Sequence, residues 1–256
     1  KPDAKIIKLE LVNHYLLTET VKQAEHWLQR LKPLTTKDAN VQMLHGDVAL
    51  MQGNNQLAIA WYQRALQLDR NFKLVWIKLY QLAKQTADAA NFSQLASDTL
   101  QKHSDFSWLR RLLAEHYVNM QQYADAIQQY EALLAAGHYT DDVTLYNNLA
   151  NLYLPTDAAT ALTHAETAVR LGPKHAPALD TYGWILSKTG QYQQALAVLR
   201  QAHTLDAAAP AARFHLAYTL VQLQRNDEAK LILQQLLADN SAFSDKLAAE
   251  HLLQQL

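Results

Sequence analysis

The sequence predicts an all-α fold, a solenoid of seven helix-turn-helix units with a short closing helix. The first observation is a column of small residues that opens each second helix: Ala24, Ala58, Phe92, Ala126, Ala161, Ala195 and Ala229, at steps of 34, 34, 34, 35, 34 and 34 residues. The second is a matching column in each first helix, formed by Val12, Gly46, Tyr80, Ala114, Ala150, Gly183 and Ala217, where two helices of a hairpin must approach closely. One turn to either side of it lie Leu11, His45, Leu79, Leu113, Leu149, Tyr182 and Leu216, then Tyr15, Ala49, Ala83, Tyr117, Tyr153, Leu186 and Leu220. That is the 3.6-residue stripe of a helix facing a core.

The copies fall at 5–38, 39–72, 73–106, 107–142, 143–175, 176–209 and 210–243. The first two carry the small residues in both helices or a Val in their place. The third departs, because Tyr80 and Phe92 fill both close-approach positions, and a changed local packing angle is expected there. The fourth is extended by Ala136-Gly137-His138 and Asp141-Asp142. Gly137 suits the C-terminus of the outgoing helix and an Asp suits the free amides of the next one, so this spot is the best hinge candidate. In the fifth, Pro155 stops the first helix early, and Asp157 or Thr156 caps the second. The sixth is the clearest, with Gly183, Ala195 and Ala202 small and Gly190-Tyr192 at the turn. After the seventh, 244–256 reads as a capping helix with an apolar pattern of Phe243, Leu247, His251, Leu252 and Leu256. His45 falls in a core column and is expected to be packed and hydrogen-bonded. At the other end Ile6, Ile7 and Leu9 are expected to be partly bare, giving weak end-to-end self-association. The chain opens Lys1-Pro2-Asp3 without Met or a signal segment, which suggests a piece of a longer protein.

A period of 34 residues with this small and aromatic pattern resembles the tetratricopeptide repeat over nearly the whole chain. The resemblance implies one right-handed superhelix over 1–256 whose first helices line a concave groove. By register, the residues facing that groove are Gln81 and Lys84; Arg111, Glu115 and Asn119; Asn147 and Asn151; Asp180, Trp184 and Lys188; and Phe214 and Tyr218. Asn147 and Asn151, one turn apart, suit amide contacts to a peptide backbone or to sugar hydroxyls. Trp184 and Tyr218, one repeat apart, suit a hot-spot pair. Co-chaperone members of the family grip a C-terminal carboxylate with lysines, asparagines and an arginine. The corresponding positions here hold Pro177, Thr181, Ala211 and His215, so that mode is rejected.

Chemistry finds little support. The absence of cysteine removes disulfides, thiolate metal sites and cysteine nucleophiles. None of the 11 histidines stands three or four residues from another, so no helix turn presents a local ligand pair. No glycine-rich phosphate loop or nucleophile elbow is present. No enzyme activity, metal or cofactor is expected. Residues 1–128 hold 15 basic against 12 acidic groups and the rest 8 against 12, without a basic stripe that would indicate nucleic acid. No apolar run approaches the roughly 18–20 residues that span a bilayer.

A narrower resemblance rests on LYNNLANLYL at 145–154, LDTYGWIL at 179–186, RFHLAYTL at 213–220 and the terminal LLQQL. These strings are similar to the C-terminal section of large tetratricopeptide lipoproteins of the bacterial PEP-CTERM/exosortase system. That resemblance implies a lipid-anchored parent on the periplasmic side of the cell envelope, associated with exopolysaccharide production and protein sorting. The function expected is a non-catalytic scaffold that holds a polypeptide in its groove. A polysaccharide ligand and a structural spacer with an empty groove are the alternatives.

Overall fold

The computed structural model describes residues 2–31, 37–86, 89–239 and 243–256. Among the described residues there are 15 α-helices and no strand. The chain divides into two compact units, residues 1–129 and 130–256, and the division falls inside a helix rather than at the extended loop of the fourth copy.

The first unit contains α1 (Pro2–Leu17), α2 (Val21–Gln29), α3 (Ala39–Met51), α4 (Asn55–Leu68), α5 (Lys73–Gln85), α6 (Ala89–Lys102), α7 (Ser107–Asn119) and the start of α8 (Tyr123–Ala135). Consecutive helices pack as hairpins, α1 with α2, α3 with α4 and α5 with α6, and first helices also meet, α1 with α3 and α5 with α7. The second unit continues with α9 (Val143–Tyr153), α10 (Ala158–Leu171), α11 (Ala176–Lys188), α12 (Tyr192–Leu205), α13 (Pro210–Gln222), α14 (Asn226–Ala238) and α15 (Lys246–Gln254). Here α9, α11 and α13 lie side by side, each backed by its own second helix.

Every member of the small column on the second helices is buried, including Phe92 at 4% exposure. The reason is visible at the two glycines opposite. A Cβ on Gly46 would stand 2.4 Å from the Tyr62 ring, and one on Gly183 would stand 2.6 Å from Leu199 Cγ. Large second-helix side chains therefore occupy the space that glycine vacates on the first helix. In the third hairpin both close-approach positions are large, Tyr80 on α5 and Phe92 on α6. Phe92 takes the small position and meets His116, Tyr80 and Trp76 at ring-centroid distances of 4.8, 5.7 and 6.2 Å. Beside it a crevice of about 20 Å³ remains, lined by Ile59, Leu79, Ala83 and Leu95 among others.

The turns repeat as well. Glu19, Gly53, Gln121, Gly190 and Gln224 all adopt left-handed backbone, with φ between 56° and 82°, two residues before a second helix. After each, the next amide donates to a carbonyl five residues back, as in Gln122 to Tyr117 (2.9 Å) and Gln191 to Leu186 (2.8 Å). This closing bond satisfies carbonyls that the helix end leaves open. Gly137 ends α8 the same way, at φ 73°. Of the two candidate caps on α9 it is Asp142 that accepts, from Leu145 N at 3.1 Å, and on α10 it is Asp157, from Ala159 N and Thr160 N. The Thr160 hydroxyl and amide hold the Asp157 carboxyl below its usual range.

Between hairpins the first unit is bolted by polar contacts. Tyr62, fully buried on α4, donates to Asp47 Oδ1 at 2.6 Å, and the same oxygen meets Lys78 Nζ of α5 at 2.9 Å. Burial, with the Asp47 charge beside it, pushes the Tyr62 phenol far above the ordinary tyrosine range. Its raised folded-state value means that this contribution to stability is fully present below the unfolded pKa of about 10 and is lost as pH climbs above it. Urea midpoints followed by circular dichroism should therefore fall between about pH 9 and 11, and fall less steeply in Tyr62→Phe; parallel declines would assign the loss to other groups.

The closing helix differs in detail from its expected face. Phe243, Leu252, Leu253 and Leu256 pack on the cluster around Leu233 and Leu236, and Ala249 is fully buried. Leu247 is 73% exposed and His251 is exposed, so these two do not cover the end hairpin. Of the expected pattern Phe243, Leu252 and Leu256 do pack there, while Ala249 and Leu253 take the places expected of Leu247 and His251. Ile6 and Ile7 are 55% and 56% exposed, and Leu9 is half-buried.

Candidate binding face of the first helices

In the second unit, Asn147 and Asn151 come from α9, Asp180, Trp184 and Lys188 from α11, and Phe214 and Tyr218 from α13. Residues four apart on one helix share a face, and the neighbouring first helices bring these rows together. Trp184 is the centre. The His215 imidazole stacks on its ring at 4.1 Å with an interplanar angle of 13°, and Tyr218 meets it edge-on at 5.2 Å. Lys188 Nζ lies over both rings, 4.9 Å from Trp184 and 5.4 Å from Tyr218. His215 Nδ1 in turn is 2.9 Å from Asp180 Oδ1, which fixes the imidazole against the indole.

Two expectations change. Phe214 is 4% exposed and does not face outward. Its ring lies 6.0 Å from Trp184, filling the seam between α11 and α13, and His215 one residue later, itself only 8% exposed, is the α13 side chain that stacks flat on Trp184. Asn151 is exposed, yet its amide nitrogen is committed to the Asn147 carbonyl at 3.0 Å and to Thr181 Oγ1 at 3.1 Å. Only its oxygen remains for a ligand. Asn147 is half-buried, and its buried Oδ1 has no hydrogen-bond partner among the described residues.

The first unit has a smaller counterpart. Gln81 and Lys84 on α5 are exposed, and Lys84 Nζ lies 5.6 Å from the Tyr80 ring. Asn119 of α7 donates to Tyr80 Oη at 2.7 Å, and Arg111 pairs with Glu115 one turn away at 3.3 Å. Burial, then the Glu115 charge, raises the Tyr80 phenol, while the Asn119 bond lowers it. Burial, then the Glu166 charge, raises Tyr182 on α11 as well.

From the sequence, Thr181 and His215 stand at groove positions but only as residues that rule out the carboxylate clamp, and Tyr80 stands only in the close-approach column; none of the three was expected to build these faces. Their signal was the spacing of about one repeat: Asp180 and His215 are 35 residues apart, and Asn151 and Thr181 are 30 apart. His45 is half-buried and stacks on Trp61 at 4.5 Å, in keeping with packing rather than ligation. Among the described residues no three His, Asp or Glu side chains converge as a metal site would require, and no helix is long and apolar enough to cross a membrane.

Family models for the tetratricopeptide repeat match residues 36–71 and 186–256, the latter running from the last turn of α11, just past Trp184, through α15. The chain carries tetratricopeptide repeats in these two segments. Among solved structures it is similar to YrrB, described as a TPR protein with an unusual peptide-binding site, at 17% identity, with 82% of this chain and 91% of that one covered and a TM-score of 0.46. It is similar to MamA at 15% identity, 80% and 92% coverage and a TM-score of 0.46. A chain of the APC/C hetero-tetramer Cut9-Hcn1 aligns at 16% identity over 95% of this chain and 47% of its own length, with a TM-score of 0.61. That likeness shows the helical-repeat fold. No curated protein matches.

Proposed function

We propose that this tetratricopeptide-repeat chain is a non-catalytic scaffold that binds a polypeptide across α9, α11 and α13. The observation that carries the reading is the Trp184 cluster: a half-buried indole, a phenol at its edge and an ammonium over both, on a face of otherwise polar side chains. Large aromatics at the centre of a face dominate protein recognition because they bury much area at small entropic cost. The Asn151 oxygen is placed to accept from a peptide amide. Lys188 has no carboxylate partner among the described residues and offers a charge to the ligand.

The polypeptide reading stands ahead of the polysaccharide one because sugar stacking needs an open aromatic face, and the Trp184 ring already carries His215 and Lys188. Selection of displayed peptides against the chain, with Trp184→Ala/Tyr218→Ala as the counter-selected variant, tests it. Selected peptides should bind the variant about tenfold or more weakly, the usual cost of losing a hot spot. Equal affinity for both, with circular dichroism showing both folded, would remove the face from consideration. Quenching of tryptophan fluorescence by glycan fragments would favour the polysaccharide, and an unchanged cellular phenotype of an Asn151, Trp184 and Tyr218 triple alanine variant would favour a spacer.

The PEP-CTERM/exosortase setting and the periplasmic side of the envelope belong to the same proposal and rest on the strings at 145–154, 179–186 and 213–220 alone. Fractionation of cells expressing the parent protein tests them, since recovery with cytosolic proteins would contradict both.

A further inference from the structure

A second surface lies on the second helices of the first unit, and the groove reading does not use it. Helices α2 and α4 repeat one pair in the same register: Trp27 with Arg30, and 34 residues on, Trp61 with Arg64. The guanidinium carbon sits 5.2 Å from the Trp27 ring in the first pair and 4.7 Å from the Trp61 ring in the second. His45 stacks on Trp61 at 4.5 Å, and His26 meets Trp27 edge-on at 5.8 Å. Both indoles are half-buried in the hydrophobic core of the unit, so they are fixed, whereas both arginines are exposed.

The charges around them are unbalanced. Neither guanidinium takes part in an ion pair among the described residues. Helix α4 has no acidic residue, and the single acid of α2, Glu25, is engaged by the amides of Gln29 and Gln52, each at 3.4 Å. Lys8 Nζ reaches the Arg30 carbonyl at 3.3 Å and adds a third cation to this side. An arginine stacked on an aromatic ring has lost part of its rotamer freedom already, while the edge of its planar fork still points its donors outward to an oxyanion.

We propose that α2 and α4 form a docking strip for an acidic segment of a partner polypeptide, with Arg30 and Arg64 each taking a carboxylate. Two guanidiniums one repeat apart match a ligand with two separated anionic groups. The unit's basic excess is slight, 15 groups against 12 over residues 1–128, which suits a pair of carboxylates better than the phosphate backbone of a nucleic acid.

The test is fluorescence anisotropy on the whole chain with three labelled probes: a peptide of alternating Glu and Ala, the same peptide with Gln for Glu, and a single-stranded DNA of equal length. The Glu peptide should bind, weaken with salt, and bind Arg30→Gln/Arg64→Gln about tenfold more weakly. Arg30→Lys/Arg64→Lys keeps the charge but loses the fork, and should bind about threefold more weakly than the wild type. Trp184→Ala/Tyr218→Ala should bind this probe like the wild type, which separates the strip from the groove face. No binding of the Glu peptide, equal binding of the Gln peptide, or an unaffected glutamine variant overturns the proposal. Tighter binding of the DNA would replace the acidic polypeptide with a nucleic acid.

Discussion

Replacing Tyr62 with alanine should destabilise the α3–α4 hairpin by about 3–5 kcal/mol, the range for removing a fully buried aromatic ring. The ring does three things at once. It fills the space opposite Gly46, where a Cβ would come within 2.4 Å of it; it anchors the hydrophobic core; and its hydroxyl donates to Asp47 at 2.6 Å. Phenylalanine at this position keeps the first two roles and should cost only about 1–2 kcal/mol, because Asp47 retains Lys78. Hydrogen exchange resolved by helix measures both variants. Protection of α3 and α4 in the alanine variant equal to that of the wild type would mean that the neighbouring hairpins, not Tyr62, hold this region. Exchange is preferred to a single melting curve because repeat arrays need not unfold in one step.

The second large effect is expected at Gly183. A valine there should cost about 2–4 kcal/mol, since the added carbons enter the volume of Leu199 and the backbone itself stands in the way: the first of them, Cβ, lies 2.6 Å from Leu199 Cγ and 3.3 Å from its backbone nitrogen. Alanine should cost less, because the roughly 1 kcal/mol gained by removing glycine from a helix interior offsets part of the overlap. Shortening Leu199 to alanine in the valine background should restore part of the loss, a positive coupling that only residues in contact show. Additive effects in that double-mutant cycle, read from urea denaturation, would contradict the interlock between α11 and α12.

Those two positions also mark what was readable in advance. The small columns were legible because close approach of two helices leaves no tolerance: all seven second-helix residues of the column are buried, and Gly46 and Gly183 face large side chains where the pattern required space. That α9 and α10 would be capped by a side chain followed from local chemistry, and the structure chose Asp142 and Asp157 from the two candidates at each. The left-handed turns at Glu19, Gln121 and Gln224 were not legible, since no glycine marks them; they are imposed by the same hairpin closure that Gly53 and Gly190 make without strain. On the candidate face the limit was angular. Phe214 and His215 are adjacent on α13, separated by about 100° of helix rotation, and the packing of α13 on α11, which buries both, decides which of them stacks flat on Trp184 and which fills the seam. Partners such as Asp180 and His215, or Tyr80 and Asn119, belong to successive hairpins, and their meeting depends on how one hairpin is laid on the next rather than on any local pattern.

The central claim is that a polypeptide is held at the Trp184 cluster, and the most direct measurement is a nitrogen-15 spectrum of the five indole N–H groups during titration with a selected peptide. Their signals are separately assignable by single Trp→Phe substitutions. The Trp184 signal should move progressively to saturation, while that of Trp76, fully buried and donating to the Arg70 carbonyl at 2.9 Å, should stay in place. Saturable binding that leaves the Trp184 signal unmoved would contradict the assignment of this face as the binding site.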